Sequence, residues 1–307
     1  MDLVFNINRL GMLGLGATLV SLVRNCPDTA SLELNFLCAD LSHQDKANID
    51  RLLADEGFGG QVDFIDFDAR REFGHLRPLH GDWTAYGRLL IPDRIDADRA
   101  LYLDADLVIE LDLLALQRDV PLQGQVLAAV TDCTLEWTID QDFLKQRIGL
   151  PKDMAYFNSG VVLFNLDECR RRNAATSWRE LAQKYPDELV SHDQTVLNAY
   201  ARGEFVQLPL RFNDQWPPSR RSGPSGHSDV IIHFCGSPKP WDLGGRWLHP
   251  GHARWAEYDT PFWQAAYSGV GRDKLARFWR IRRSVLHAVK CRLADGDRSA
   301  RRLLLRR

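Results

Sequence analysis

Short apolar segments that end at polar residues, with helical patterns between them, constrain the fold of this chain more than any other feature of its sequence. Residues 32–38, 101–103 and 126–130 are strand-like runs, and residues 84–91 have a helical pattern that we expect Pro92 to end. This alternation predicts an α/β domain whose mostly parallel sheet is covered by helices on both faces. Such sheets bind ligands at the carboxyl ends of their strands, where four aspartates occur: Asp40, Asp104, Asp106 and Asp132.

The cysteines and the N-terminus bear on the compartment. The six cysteines among 307 residues show no CxxC spacing, so we expect reduced thiols. The N-terminus has no basic region followed by a long apolar run, and no stretch of 18 apolar residues occurs anywhere. This predicts neither a secretory signal nor a spanning helix, and we therefore expect a cytoplasmic protein.

The net charge of −2 conceals an uneven distribution along the chain. Residues 272–307 hold 13 of the 39 basic and 3 of the 41 acidic residues, so this tail has a net charge of +10 and the preceding 271 residues have −12. Apolar positions between Leu275 and Leu293 approximate one helical face among arginines, which is typical of a helix on an anionic membrane. The alternative is a helix that packs on the acidic body. We expect no nucleic-acid partner, because no recognised motif accompanies the charge.

Two carboxylates, Asp104 and Asp106, follow the apolar run at 101–103. Two residues apart on an extended segment, they point the same way, and paired oxygen ligands suit Mn²⁺ or Mg²⁺. His233 ends another apolar run and offers an imidazole to the same ion, while Gly236 and Lys239 suit a phosphate. The alternatives are solvated aspartates at a strand end and a histidine hydrogen-bonded in a turn.

Two polar segments are further candidates for contacts with a ligand. Asn158 belongs to an Asn-Ser-Gly sequence directly before a buried run, and its amide can hydrogen-bond a sugar hydroxyl. Asp193 and Gln194 begin a predicted helix. The alternatives are an ordinary turn at the first segment and ordinary helix capping at the second.

In their order and spacing, these segments resemble glycosyltransferase family 8, the retaining transferases that use a nucleotide sugar. The likeness is to bacterial lipooligosaccharide α-galactosyltransferases and α-glucosyltransferases, and it covers residues 1–260. The matching segments are the opening strand, His80 and residues 84–89, 103–106, 157–161, 193–194, 233–236 and 239–241. The resemblance implies a GT-A fold, with a Rossmann-like sheet and flanking helices. It also implies Mn²⁺- or Mg²⁺-dependent transfer of galactose or glucose from a UDP-sugar to a glycan or lipid-linked saccharide.

By position, the resemblance implies a role for each residue. The metal ligands would be Asp104, Asp106 and His233. The donor would also contact Asn6, Asn8, His80, Arg88, Ala105, Asn158, Gly236 and Lys239. The transferred sugar would lie among Asn158, Asp132, Asp193 and Gln194. The chain departs from the family after the first strand, where Asn6-Ile7-Asn8-Arg9 replaces a usual aspartate, so the contact with the base is altered.

Retention, which the resemblance implies, leaves two chemical routes open. A double displacement needs a nucleophile; the Gln194 amide is a poor one, and Asp193 is a stronger one whose alternative role is to orient hydroxyls. We favour a front-face route, in which the leaving phosphate oxygen takes the acceptor proton and Lys239 and the metal neutralise charge.

The sequence also predicts a division of the chain and leaves other functions open. We expect a transferase domain of residues 1–265 and a basic tail of residues 266–307 that attaches the enzyme peripherally to the inner face of the plasma membrane. The alternative functions are a transferase that acts on a protein-bound glycan and a nucleotide-sugar-binding protein without turnover.

Overall fold

Strands and helices alternate along most of the chain. The computed structural model describes residues 1–220, 229–269 and 271–304, without the side chains of residues 117–119, 132, 273 and 294–304. Its strands are β1 (Asp2–Ile7), β2 (Glu33–Cys38), β3 (Gln61–Asp66), β4 (Arg99–Leu103), β5 (Leu107–Ile109), β6 (Leu127–Thr134), β7 (Ala155–Asn165), β8 (Val206–Gln207), β9 (Asp214–Gln215) and β10 (Ile231–His233). Its α-helices are α1 (Met12–Asn25), α2 (His43–Asp55), α3 (Ala69–Phe73), α4 (Ile91–Arg94), α5 (Leu113–Asp119), α6 (Gln141–Gln146), α7 (Leu166–Arg171), α8 (Ala174–Lys184), α9 (Asp193–Ala201), α10 (Gly245–Leu248), α11 (His252–Ala256), α12 (Pro261–Tyr267) and α13 (Arg272–Leu304). Short 3₁₀ helices include Thr84–Leu90.

The central sheet has seven strands in the order β3-β2-β1-β4-β7-β6-β8. Strands β1 to β4 are parallel neighbours, whereas β7 is antiparallel to both β4 and β6. Successive residues of β1 lie in different apolar clusters: Leu3 and Phe5 in one, Val4 in the other. Because side chains alternate across a strand, the sheet is buried on both faces. The predicted α/β fold, with a mostly parallel sheet and flanking helices, is confirmed.

Helix α1 packs closely behind the segment that bears the two aspartates. A Cβ added at Gly14 would lie 2.5 Å from the Ala105 carbonyl oxygen, and one at Gly16 would lie 2.2 Å from the Trp263 ring. The Trp263 Nε1 also donates to the Met12 carbonyl at 2.7 Å. Only glycine fits at these two positions, and it lets the helix support the 104–106 segment directly.

Three sequence-based boundaries differ from the structure. Pro92 does not end a helix; it lies in the first turn of α4, where its missing N–H costs no hydrogen bond. Strand β6 continues through Asp132 to its end at Thr134, and Asn158 lies inside β7 instead of in a turn before it. The pairing of β6 with β7 shifts register twice after Ala129, and such bulges keep a polar stretch within a strand while they redirect its side chains.

A second, three-stranded sheet, β5-β10-β9, lies beside the central one. Strands β5 and β10 are antiparallel, with Leu107 opposite His233, and β9 is parallel to β10. The sheet therefore brings the end of β10 next to the residues that precede β5.

Helix α13 packs on the rest of the protein through one face. Ile281, Val285 and Ala288 are buried, as expected for the alternative in which the tail packs on the body. Helix α12 crosses the predicted boundary at 265/266, and the division into two domains remains a prediction. None of the helices within the described ranges is long and apolar enough to cross a membrane.

Candidate functional site

Strand pairing brings Asp104, Asp106 and His233 together. Asp104 directly follows β4, and its backbone N–H donates to the Gly160 carbonyl of β7 at 2.8 Å. Asp106 precedes β5, and its carbonyl accepts from the Phe234 N–H, just after β10, at 3.0 Å. One ligand atom from each of the three residues lies within 4.8 Å of the other two. These are the three residues that the sequence predicts as metal ligands.

The chemistry of this cluster fits a divalent cation. The Asp106 Oδ1 is buried without an aligned hydrogen-bond partner among the described residues, and it lies 3.2 Å from the His233 Nε2. The His233 Nδ1 lies 2.9 Å from the Asn213 Oδ1, to which it donates in the tautomer that frees Nε2. Metal-binding histidines usually donate their second ring N–H in this way. Two carboxylates and one imidazole suit Mn²⁺ or Mg²⁺.

Electrostatics in the cluster favour the charged forms. Burial opposes charge on Asp106, His233 and Lys239. It is outweighed at Asp106 by Lys239 and His233, at His233 by the neighbouring Cys235 and Asp106, and at Lys239 by Asp106 and Cys235. The pKa of Asp106 therefore lies well below its usual range, and the pKa values of His233 and Lys239 lie above theirs. The ionised Asp106 can therefore bind a cation, which would displace the proton from the His233 Nε2.

Arg88 connects the cluster to α9. Its Nη2 donates to the Asp104 Oδ1 at 2.6 Å, and its Nη1 donates to the Ser159 Oγ at 2.5 Å and to Asp193. Its guanidinium also lies 4.4 Å from the centre of the Tyr102 ring. Burial is the main reason why the pKa of Asp193 is raised to about 6, although Arg88 opposes the shift.

Gln194 is held by three neighbours from β7. Its Oε1 accepts from the Asn158 Nδ2 at 3.2 Å and from the Ser159 backbone N–H at 3.0 Å, and its Nε2 donates to the Tyr156 hydroxyl at 3.1 Å. The Asn158 Oδ1 accepts from the Asn213 Nδ2 at 3.0 Å. Asn158, Asp193 and Gln194 thus meet in one polar network that adjoins the metal ligands.

The loop after β10 contributes the Lys239 ammonium and a glycine, Gly236, whose backbone is not covered by a side chain of its own. Gly236 has a φ of +73°, a conformation that favours glycine. The Lys239 ammonium donates to the Asp106 Oδ2 and to the Phe234 carbonyl, both at 2.5 Å. The predicted phosphate contacts therefore lie directly beside the predicted metal ligands.

The remaining predicted donor residues lie around the 3₁₀ helix Thr84–Leu90. Asn6 donates to the Thr84 carbonyl, and the Asn8 Nδ2 lies 3.3 Å from the Thr84 Oγ1. The Asn8 Oδ1 also accepts from the Gly11 N–H at 3.0 Å, so both asparagines shape the turn after β1. His80 is exposed and has a φ of +56°. Ala105 lies between the two aspartates, and the side chain of Asp132 is outside the part of the chain that the structure describes.

Ser159 and Asn213 are among the network residues to which the sequence analysis assigned no role. Ser159 donates to the Asp193 Oδ2 at 3.1 Å as well as accepting from Arg88, and Asn213 joins His233 to Asn158. Ser159 adjoins a predicted residue, which was a usable signal. Nothing in the sequence around Asn213 distinguishes it, because its role depends on β9 lying beside β10.

A family model and two known proteins match most of this chain in sequence. The family model described as glycosyl transferase family 8 matches residues 2–243. General stress protein A of Bacillus subtilis (strain 168) is 27% identical over 253 residues, which are 77% of this chain and 85% of that protein. Lipopolysaccharide 1,3-galactosyltransferase of Salmonella typhimurium (strain LT2) is 24% identical over 256 residues, which are 80% of this chain and 74% of that protein.

A solved structure shares the fold. The crystal structure of the galactosyltransferase LgtC in complex with donor and acceptor sugar analogs superposes with a TM-score of 0.69 at 28% identity. The match covers 89% of this chain and 98% of that one.

Proposed function

The chain belongs to glycosyltransferase family 8, and from that membership and the geometry of the site we propose that it transfers galactose or glucose, with retention, from a UDP-sugar to a saccharide acceptor. The observation that carries the proposal is the convergence of Asp104, Asp106 and His233 within 4.8 Å of one another. Lys239 pairs with Asp106 of this cluster, and Arg88 pairs with both Asp104 and Asp193. A diphosphate and a sugar thus find complementary groups in one place.

The metal would be held by Asp104, Asp106 and His233. Bound there, Mn²⁺ or Mg²⁺ would supply positive charge to the donor diphosphate and so make UDP a better leaving group. Lys239, whose side chain is 17% exposed, would add a second positive charge to the same phosphates. The protein's own part in this step is to keep the Asp106 carboxylate ionised and to hold the Lys239 ammonium beside it.

The hydrogen bonds around Gln194 and Asp193 support the front-face route. The Gln194 oxygen already accepts two hydrogen bonds, which lowers its nucleophilicity further. The Asp193 carboxylate is 4% exposed and is occupied by Arg88 and Ser159. We therefore propose that both residues orient the sugar, while the departing phosphate oxygen accepts the proton of the acceptor hydroxyl.

The acceptor is proposed to be a glycan or a lipid-linked saccharide, as in the lipopolysaccharide galactosyltransferase that the chain is similar to. Galactose and glucose differ at one hydroxyl, which pocket geometry alone discriminates. The two competing functions, transfer to a protein-bound glycan and donor binding without turnover, differ in product and in rate.

A donor panel tests the proposal. UDP release is measured with UDP-galactose and UDP-glucose, with Mn²⁺ or EDTA, on the full chain and on Asp106→Asn. We expect Mn²⁺-dependent release with one of the donors, which the variant loses. Linkage analysis of the product then identifies the acceptor class. Donor binding without any release would favour the binding protein.

We also propose that α13 attaches the enzyme to an anionic membrane. Its outer face presents four apolar side chains that are 56–70% exposed and recur at intervals of four and seven residues: Leu275, Trp279, Leu286 and Leu293. The exposed Arg283 and Lys290 adjoin this stripe and match the charge of acidic lipids.

Vesicle flotation tests the membrane proposal. Because α13 also buries Ile281 and Val285, substitution of its outer face is preferable to deletion of the helix. The full chain should float with vesicles that contain phosphatidylglycerol, and Trp279→Ala with Leu286→Ala should not. Trp137→Ala, which removes a 79% exposed tryptophan elsewhere, is the matched control. Equal flotation of all three proteins would remove the proposal.

A further inference from the structure

Two ion pairs and one backbone hydrogen bond connect α13 to Asp106. The Arg277 Nε and Nη2 donate to the two oxygens of Asp242 at 2.6 and 2.9 Å. The side chain of Asp242 is 7% exposed and that of Arg277 is 29% exposed, so the pair is partly withdrawn from water. A two-pronged, partly buried pair of this kind fixes geometry better than a single surface contact does.

Asp242 holds the backbone of Lys239. Its Oδ2 accepts from the Lys239 N–H at 2.7 Å, which closes the turn between the two residues. From that turn the Lys239 side chain reaches the Asp106 Oδ2. Arg277 is therefore connected to the metal-binding aspartate through two residues, Asp242 and Lys239.

Helix α13 also contacts the loop that contains His80. The Arg280 Nη1 donates to the His80 carbonyl at 2.9 Å, one helical turn after Arg277. The same helix thus contacts both the loop after β10 and the loop that precedes Thr84–Leu90. Arg277 and Arg280 therefore contact loops around the site, which the net charge of the tail alone does not indicate.

We propose that Arg277 is a positioning residue, which holds Lys239 for the donor diphosphate by way of Asp242. The inference rests on the proposed function, because it assigns Lys239 to the diphosphate. It predicts that Arg277 acts only through Lys239, whereas a residue that merely stabilises the fold would act independently of it.

The first test needs no enzymatic activity. The metal-free full chain is treated with acetic anhydride, and acetylation of Lys239 is followed by peptide mass spectrometry. Arg277→Gln should accelerate the acetylation of Lys239 several-fold. Arg277→Lys should have a smaller effect, because lysine keeps the positive charge but cannot donate two parallel hydrogen bonds to Asp242 as the guanidinium does. Arg272→Gln removes the same charge from an exposed residue of the same helix and should match the unmodified protein. Equal rates for Arg277→Gln and the unmodified protein would overturn the inference.

The second test is a double-mutant cycle on kcat/KM for the active UDP-hexose. We expect Arg277→Gln to lower kcat/KM about tenfold and Lys239→Gln to lower it about a hundredfold, with the double variant no worse than Lys239→Gln alone. A further tenfold loss in the double variant would show independent action and refute the proposal. If the unmodified enzyme turns over neither UDP-glucose nor UDP-galactose, the proposed function fails, and the acetylation rates still decide the role of Arg277.

Discussion

Replacement of Arg88 by methionine should destabilise the protein more than the loss of any surface ion pair would. Arg88 is 8% exposed and neutralises two carboxylates, those of Asp104 and Asp193. Methionine fills a similar volume against the Tyr102 ring but has no charge. The variant would leave Asp193, which is 4% exposed, without its cation.

The magnitude follows from the cost of an uncompensated buried charge. Removal of one partner of a buried pair costs about 3–5 kcal/mol, whereas an exposed pair contributes less than about 1 kcal/mol. Part of the loss should be recovered by protonation, since the pKa of Asp193 is already raised to about 6 by burial and would rise further without Arg88. At about 2 °C for each kcal/mol in a chain of this size, Tm should fall by up to roughly 6–10 °C.

Thermal and urea unfolding at pH 7.5 measure this effect. The matched control is Arg179→Met, which removes an exposed arginine from its 2.6 Å pair with Asp93 and should change Tm by about 2 °C or less. Asp193→Asn added to Arg88→Met should restore at least about 1 kcal/mol, because it removes the unpaired charge. A loss no larger than that of Arg179→Met, or strictly additive effects with Asp193→Asn, would show that Arg88 does not compensate the buried charge of Asp193.

Two further predictions concern a glycine and a buried histidine. A methyl group in Gly160→Ala would lie 2.2 Å from the His233 ring and 2.8 Å from the Asp104 Oδ2, so Mn²⁺ affinity should fall at least about tenfold by calorimetry, and unchanged affinity would argue against the ligand set. His249 accepts from the Gly251 N–H, and burial lowers its pKa to about 3 from 6.5. The unfolded chain therefore binds a proton below pH 6.5 that the folded protein does not, and unfolding free energy should fall by about 1.4 kcal/mol per pH unit from 6.5 toward 3. Urea unfolding at pH 7.5 and 5.5 should show a smaller loss in His249→Asn, and equal losses would contradict this assignment.

The part of the site that sequence reasoning reached depends on local patterns. Asp104 and Asp106 follow an apolar strand, and His233 ends another one. Their positions at strand ends could therefore be predicted from the apolar runs that precede them in the sequence. The approach of His233 to Asp106 was supported by family resemblance, since it depends on antiparallel pairing of β5 with β10 across more than 100 residues.

The errors have a common physical cause. The residues around Asn158 are typical of a turn, and those around Asp132 are typical of a strand end. In the structure β7 and β6 continue through these two positions, because the pairing of the two strands shifts register there. Tertiary pairing can override a local turn preference where a bulge accommodates the extra residue. Asn213 was missed for a related reason: it lies directly before β9, and a strand of two residues has no recognisable sequence pattern.

The sequence of the tail predicted a basic helix but not which of its residues contact the rest of the protein. Its helical periodicity predicted one apolar face, whereas α13 has two: a buried one at Ile281 and Val285, and an exposed one at Trp279 and Leu286. Net charge alone did not separate Arg277, which pairs with Asp242, from the exposed Arg283.

The proposed function depends most on a metal, which Asp104, Asp106 and His233 would hold and which would supply positive charge to the donor diphosphate. Calorimetric titration of UDP into the full chain, with Mn²⁺ and then with EDTA, tests this directly. We predict affinity about a hundredfold higher with Mn²⁺, equivalent to about 2.8 kcal/mol, and no such difference in Asp106→Asn. Equal UDP affinity of the unmodified protein with Mn²⁺ and with EDTA would contradict the account.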